Sequence, residues 1–325
     1  MSELRYNPLL DTYTIVAANR QNRPNFPENW CAFCPGEGKK VPEKYDVFLY
    51  PNDFPALDYK NKHTDTQEDT VYHYQMATGA CEVILYASEH EAQIYNLSDE
   101  HVFKLINLWV ERFEYHQQFD VVKYIFPFEN RGNDVGVTMP HPHGQLYAYP
   151  FIPLKIKTEL DNCRMYFEEK HVNMFDDILF EETTFKERII FETETFSIFL
   201  PYFTDYPYGI FIVSKKDKLF INDFNDNERM ELGIVLKKVV KMFDNLFDCT
   251  FPFMMCVHQG VVNSTEYTKE EQREFYRFHI EFYPPWRAKN VIKYYASSET
   301  GAWAATNTRS VEETAKELRT ALEKE

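Results

Sequence analysis

Hydrophobic positions in this chain fall into two alternating periods. NLSDEHVFKLINLWVERFEYHQQ (96–118) places Val102, Leu105, Ile106, Trp109 and Phe113 three or four residues apart, the spacing of one buried helical face. EVILYAS (82–88), just before it, has the composition of a strand. The second half repeats this grammar. GIFIVSK (209–215) precedes DFNDNERMELGIVLKKVVKMFDNLF (223–247), where Asn225 and Glu228 make a capping box and Leu232, Val235, Leu236, Val239 and Phe243 form the apolar stripe. Each helix is followed by a strand ending in a glycine turn (IFPFENRG, then FPFMMCVHQG), then by a strand that carries histidine and ends at proline (HPHGQLYAYP, then FHIEFYPP). Each half therefore reads as a helix on an antiparallel meander. Two copies predict an α+β fold with pseudo-two-fold symmetry and the strands pooled in one sheet. We divide the chain into residues 1–190 and 191–325, packed as one compact unit. RSVEETAKELRTALEKE, with Ser310 and Glu313 as a further capping box, predicts a terminal surface helix.

With 325 residues the chain can bury a full core without disulfides. Its 51 acidic against 35 basic residues, a formal charge of −16, argue against nucleic acid or an anionic membrane as partner. No apolar run approaches the roughly 18 residues that span a bilayer, and MSELRYNPLL lacks a basic and apolar leader, so a cytoplasmic protein is expected. Cys81, Cys163, Cys249 and Cys256 lie in or beside apolar stretches and read as packed residues.

Cys31 and Cys34, in WCAFCPG, have the spacing that lets two thiolates meet one zinc ion in a turn. No βαβ unit surrounds them, which weakens a thioredoxin-like redox reading. Two further ligands are needed, and His90, His141 and His143 stand in suitable settings; chemistry alone does not separate His90 from His101. In TMPHPHGQLYAYP (138–150), His141 and His143 occur two residues apart in a strand pattern. A rise of about 3.3 Å per residue puts both imidazoles on one face, with Cβ atoms roughly 7 Å apart. Both could bind one metal, or one could bind while the other reacts.

H-P-H-G-Q with an upstream C-x-x-C resembles the galactose-1-phosphate uridylyltransferases, the transferase branch of the histidine triad superfamily. RYNPL (5–9), NRQNRP (19–24), YPNDFPAL (50–57), FENRG (128–132), NLFDCTFPF (245–253), HIEFYPP and SETGA (298–302) have counterparts in the same order, so the resemblance covers nearly the whole chain. It implies duplicated histidine-triad-like halves. It assigns Cys31, Cys34, His90 and His141 to a structural zinc and His143 to nucleophilic attack. A neutral imidazole, with its ordinary pKa of about 6.5, can attack the α-phosphorus of UDP-glucose without a separate base. Glucose 1-phosphate would leave a uridylyl-histidine, which galactose 1-phosphate would then discharge as UDP-galactose in a ping-pong cycle. Gln145, on the same strand face, is the expected donor to a phosphate oxygen. Thr138 and Asn130 match further phosphate contacts, Arg20 and Arg23 match basic substrate-site residues, and Asn52 and Asp53 match nucleoside contacts. Lys293, Tyr294 and Glu299 fall in the hexose-binding segment, which the family contributes across a homodimer interface.

The resemblance also implies a second metal, zinc or iron(II), at Glu159, His258, His279 and Glu281. Glu281 replaces a histidine of familiar members, and by motif spacing it stands where His143 stands in the first half. Ser298 replaces a tyrosine before the sugar-binding Glu299, which opens the acceptor site to another hexose 1-phosphate such as N-acetylgalactosamine 1-phosphate. Two other readings fit the same residues: a nucleotide-sugar phosphorylase, with inorganic phosphate as acceptor, and a zinc-stabilised nucleotide-binding protein without turnover.

Overall fold

The computed structural model describes residues 2–22, 30–36, 38–61 and 70–324. In chain order the first half contains β1 (Glu3–Asn7), β2 (Thr12–Val16), β3 (Phe48–Tyr50), β4 (Tyr74–Met76), β5 (Ala80–Leu85), α1 (Asp99–His116), β6 (Tyr124–Arg131) and β7 (His143–Tyr149). Helices α2 (Leu154–Lys170) and α3 (Met174–Phe185) lead into the second half. There follow β8 (Ile189–Glu192), β9 (Phe196–Phe199), β10 (Phe211–Ser214), α4 (Asp226–Phe247), β11 (Phe253–His258), α5 (Lys269–Phe275) and β12 (His279–Tyr283). A short hairpin of β13 (Trp286–Ala288) and β14 (Val291–Ile292) precedes α6 (Ser297–Ala302) and α7 (Val311–Leu322).

Among the described residues, nine strands form one antiparallel sheet in the order β3-β5-β7-β6-β11-β12-β10-β9-β8, so the halves meet where β6 pairs with β11. The pooled sheet and the repeat follow the sequence pattern. Asn225 and Glu228 close a full capping box at the start of α4 as the sequence predicts, and at the start of α1 Ser98 accepts from the backbone of His101. The apolar stripes of α1 and α4 are buried on the same sheet face, and Gly233 lets the helices approach closely, since a Cβ there would lie 3.1 Å from Val102 Cγ1. Each fully buried Leu, Ile or Phe of these stripes contributes about 1.5–3 kcal/mol. Helix α7 is not merely superficial: Ala315, Leu318 and Ala321 are buried, and the helix packs on α4.

The pleat divides the strand residues between two faces. Ile84, Ile125, Leu146 and Ala148 join the core under α1 and α4. Val83 and Leu85 pack the other way, with Phe33, Tyr50 and Met139, and Tyr147 packs on that side with Leu4 and Leu57. His143 and Gln145 share the latter face by alternation. On the second half, α2 and α3 cover the matching face.

The two halves correspond by register. Leu85 pairs with His143 as Val213 pairs with His279, and Val83 pairs with Gln145 as Phe211 pairs with Glu281. Three features fix this alignment over one shifted by two residues. Strands β6 and β11 each run out to a glycine, Gly132 and Gly260, while β7 and β12 begin at His143 and His279. Each of those histidines donates from Nδ1 to the carbonyl two residues back, His141 at 2.7 Å and Arg277 at 2.9 Å. This corrects the correspondence drawn from motif spacing: His279 occupies the place of His143 in the second half, and Glu281 occupies that of Gln145.

Candidate active site

The Cys31–Cys34 turn, the loop after β5 and the bend before β7 bring four side chains together. Donor atoms of Cys31, Cys34, His90 and His141 all lie within 4.8 Å of one another. Cys34 Sγ is 3.2 Å from His90 Nδ1 and 3.5 Å from His141 Nδ1. His141 is buried just ahead of β7 rather than within it, and its Nε2 lies 2.8 Å from the Ala87 carbonyl. A carbonyl only accepts, so the ring proton sits on Nε2 and Nδ1 presents its lone pair to the cluster. Burial lowers the His141 pKa to about 4, which keeps the imidazole neutral. Burial, then the neighbouring Cys31, pushes Cys34 up to about 11, so without a cation Cys34 retains its proton. A divalent ion reverses that preference. Two sulfurs and two imidazole nitrogens are the donor set zinc prefers, and bonds of about 2.0–2.3 Å would close the cluster with little adjustment. The structure also separates His90 from His101, whose Nε2 is tied to the Asp46 and Tyr86 carbonyls at 2.8 Å each.

His143 starts β7 at the junction of two cavities. One, of about 280 Å³, is lined by His143 and Gln145 together with Thr138, Asn52, Asp53, Trp30 and Phe33. The other, of about 240 Å³, is lined by His143, Asn130, Glu129 and Tyr86, among others. The His143 Nδ1 proton is held by the His141 carbonyl, so Nε2 carries the lone pair. Phe33, inside the C-x-x-C turn, lies 5.1 Å from the His143 ring and 6.1 Å from that of His141, centroid to centroid. The turn that gathers the thiols thereby also walls His143.

Asn52 and Asp53 follow β3. The Asn52 side-chain Oδ1 accepts from the Phe54 backbone N–H at 2.9 Å, a local turn bond, while Tyr50 donates to Asp53 at 2.8 Å and Lys40 pairs with the same carboxylate. Arg20 donates to the Tyr147 hydroxyl at 3.0 Å, and Tyr147 donates to the Gln145 carbonyl oxygen at 3.3 Å. With its oxygen so occupied, the Gln145 amide N–H groups remain to serve a ligand. Sequence reasoning missed Tyr147, although its position two residues beyond Gln145 on one strand face was a readable signal. Arg23 lies outside the described residues.

Tyr86 and Glu129 are further residues that motif spacing does not disclose. Tyr86 is buried and its hydroxyl packs beneath Gly144, where any Cβ would overlap it. Its backbone N–H donates to the Pro142 carbonyl at 3.1 Å. Burial raises the neighbouring Glu129 carboxyl to about 7, against the opposing pull of Arg131 and of the Tyr86 hydroxyl.

Lys293, Tyr294 and Glu299 line neither cavity. Lys293 is buried against the Tyr206 and Tyr295 rings, at 5.3 and 4.2 Å from their centroids, and Glu299 caps α6 through the Ala296 N–H. The Ser298 hydroxyl donates to the Ala304 carbonyl at 3.0 Å. In the second half, Glu159, His258 and His279 bring donor atoms within 4.8 Å of one another, with Glu281 alongside at 3.3 Å from His279 Nε2. Three of the four residues implied by the resemblance thus bring donor atoms together, and Glu281 meets Lys155.

The N-terminal domain model of galactose-1-phosphate uridyl transferase matches residues 1–153, and the C-terminal domain model matches residues 159–324. A Thermotoga maritima galactose-1-phosphate uridylyltransferase is 38% identical over 320 residues, covering 98% of each chain. Its Saccharomyces cerevisiae counterpart is 29% identical, over 92% of this chain and 88% of the relative. A solved uridylyltransferase superposes with a TM-score of 0.88 at 25% identity, over 98% of both chains. An Arabidopsis thaliana ADP-glucose phosphorylase, at 21% identity and a TM-score of 0.75, shares the fold. No described helix is long and apolar enough to cross a membrane.

Proposed function

The chain belongs to the galactose-1-phosphate uridylyltransferase family, and from that premise we propose that it moves UMP from UDP-glucose to galactose 1-phosphate through a uridylyl group held on His143. The observation that carries this reading is the fixed tautomer: the Nδ1 proton is bonded to the His141 carbonyl and the lone pair is left on Nε2, between two cavities. Nε2 attacks the α-phosphorus, an N–P bond forms, and the P–O bond to glucose 1-phosphate breaks with its electron pair leaving on that phosphate. The Nδ1 proton stays in place and offsets the charge that develops on the ring. A phosphate oxygen of galactose 1-phosphate then attacks the same phosphorus, the N–P bond breaks, and UDP-galactose departs.

Phosphoryl transfer of this kind depends on positioning and charge neutralisation. Gln145 donates to a nonbridging oxygen, its orientation supported by Tyr147 and Arg20. Thr138 and Asn130 contact the phosphates, Asn52 and Asp53 hold the nucleoside, and Arg23 adds positive charge. Cys31, Cys34, His90 and His141 would hold a zinc ion, which would supply no reacting group and would fix the wall of the cavity through Phe33. Lys293, Tyr294 and Glu299 reach the hexose from a second copy of the chain.

The test is intact-mass analysis after incubation with UDP-glucose and no acceptor, at mildly alkaline pH where phosphoramidates survive. The wild type gains a uridylyl-sized mass and His143→Ala does not, while retaining the metal content of the wild type. Galactose 1-phosphate discharges the adduct; discharge by N-acetylgalactosamine 1-phosphate or inorganic phosphate instead would reassign the acceptor. No adduct from a protein shown to bind UDP-glucose would overturn the nucleophile assignment.

A further inference from the structure

The second-half cluster contains two carboxylates, and a cation already stands between them. Lys155 Nζ donates to Glu281 Oε2 at 2.6 Å and faces Glu159 Oε1 at 3.7 Å. The rest of the cluster is closed by protein partners as well. Glu159 Oε2 accepts from His258 Nδ1 at 2.9 Å and from the Tyr276 hydroxyl at 2.8 Å, and Glu281 Oε1 lies 3.3 Å from His279 Nε2. Glu281 is almost fully buried, so its charge demands a partner. Lys155 and Glu159 are one turn apart on α2, so a single helix delivers both the ammonium and one carboxylate.

Access does not explain the choice of cation. A cavity of about 390 Å³ reaches Lys155, Glu159, His279 and Glu281, and the Lys155 side chain is 56% exposed along it. An ion from solvent has a path to the cluster and would meet a fixed positive charge at its fourth ligand. We infer that Lys155 is the resident cation of this cluster: its ammonium joins Glu159 to Glu281 and keeps a divalent metal ion out. The replacement of histidine by Glu281 then has a physical counterpart, because a carboxylate at that position pairs with an ammonium and an imidazole would not. The cluster becomes an ion-paired tie between α2 and strands β11 and β12.

The test is elemental analysis of the full-length protein, expressed with zinc and iron(II) supplied and then desalted, comparing the wild type with Lys155→Met. The readout is the difference between the two counts, so it does not depend on occupancy of the Cys31, Cys34, His90 and His141 site. Lys155→Met is expected to gain about one metal equivalent per chain, a gain that adding His258→Ala removes and that Lys155→Arg does not produce. Equal metal content in the wild type and a cooperatively melting Lys155→Met protein would overturn the inference. Lys155→Gln provides the same comparison if the methionine variant does not fold. A wild type that loses one equivalent on His258→Ala would overturn it without any change at Lys155.

Discussion

Gly144 sits between His143 and Gln145, and its lack of a side chain has a structural cause on the helix side of the sheet. The Tyr86 hydroxyl fills the space a Cβ would need, and the Phe128 carbonyl stands 3.2 Å from that point. Gly144→Ala is therefore expected to push β7 away from Tyr86 and to displace His143 and Gln145 together, lowering kcat by about two orders of magnitude, as a misplacement of roughly 1 Å does. Adding Tyr86→Phe should recover part of the loss in a steady-state assay; no recovery would mean that the hydroxyl is not the obstacle. Glu129, beside that hydroxyl, gives a pH signature. Its carboxyl is raised from 4.5 to about 7 by burial, so the unfolded chain ionises first as pH rises. Stability from this group is full below 4.5 and is lost as pH approaches 7, after which the cost is constant at about 3 kcal/mol. Glu129→Gln should accordingly be more stable than wild type at pH 8 by that amount and gain less at pH 5, as read from urea melts; parallel curves would remove Glu129 as the source.

The C-x-x-C turn couples chemistry to folding at the level of one element. Trp30, Ala32 and Phe33 line the cavity that carries His143, so the proposed ligand set would organise the wall of the site as well as closing a loop. Cys31→Ser is expected to lower metal content by about one equivalent and the melting temperature with it, because metal binding energy contributes to folding. Unchanged metal and melting would show that the turn is not a ligand set. Such elements were legible in sequence where residues of one function lie close together, as with Cys31 and Cys34, His141 through Gln145, and the capped helices α1 and α4. The choice of His90 over His101 came from family resemblance, and the structure supplies its reason in the carbonyls that hold His101. Glu281 was aligned with the wrong partner because a two-residue slip leaves every side chain on the same face, so hydrophobic alternation cannot report it. Tyr86, Glu129 and Lys155 escaped notice for a related reason: each has an ordinary strand or helix setting, and its importance comes from a neighbour far away in sequence.

At the scale of the whole molecule, the pseudo-two-fold sheet places one histidine-bearing strand in each half and gives them different tasks. In the first half the histidine at the start of β7 faces two cavities, whereas its counterpart at the start of β12 is buried among Glu159, His258 and Glu281. The proposed function therefore places one catalytic site in each chain, and among the described residues Lys293, Tyr294 and Glu299 line neither of its cavities. The segment proposed to reach the hexose carries Tyr294 at 73% and Trp303 at 64% exposure, large aromatic surface that a second copy would cover. Shared sites in a two-fold dimer can be tested by complementation. His143→Ala and Glu299→Ala proteins, each inactive alone, are denatured together, refolded with zinc and assayed for UDP-galactose. Mixed dimers pair an intact His143 from one chain with an intact Glu299 from the other, and they do so in one of their two sites. Random reassociation makes half of the dimers mixed, so roughly a quarter of wild-type activity is expected. If Glu299 served its own chain's His143, every mixed dimer would carry one impairment in each site and activity would stay at the level of the separate variants, even though separately refolded wild type regains full turnover.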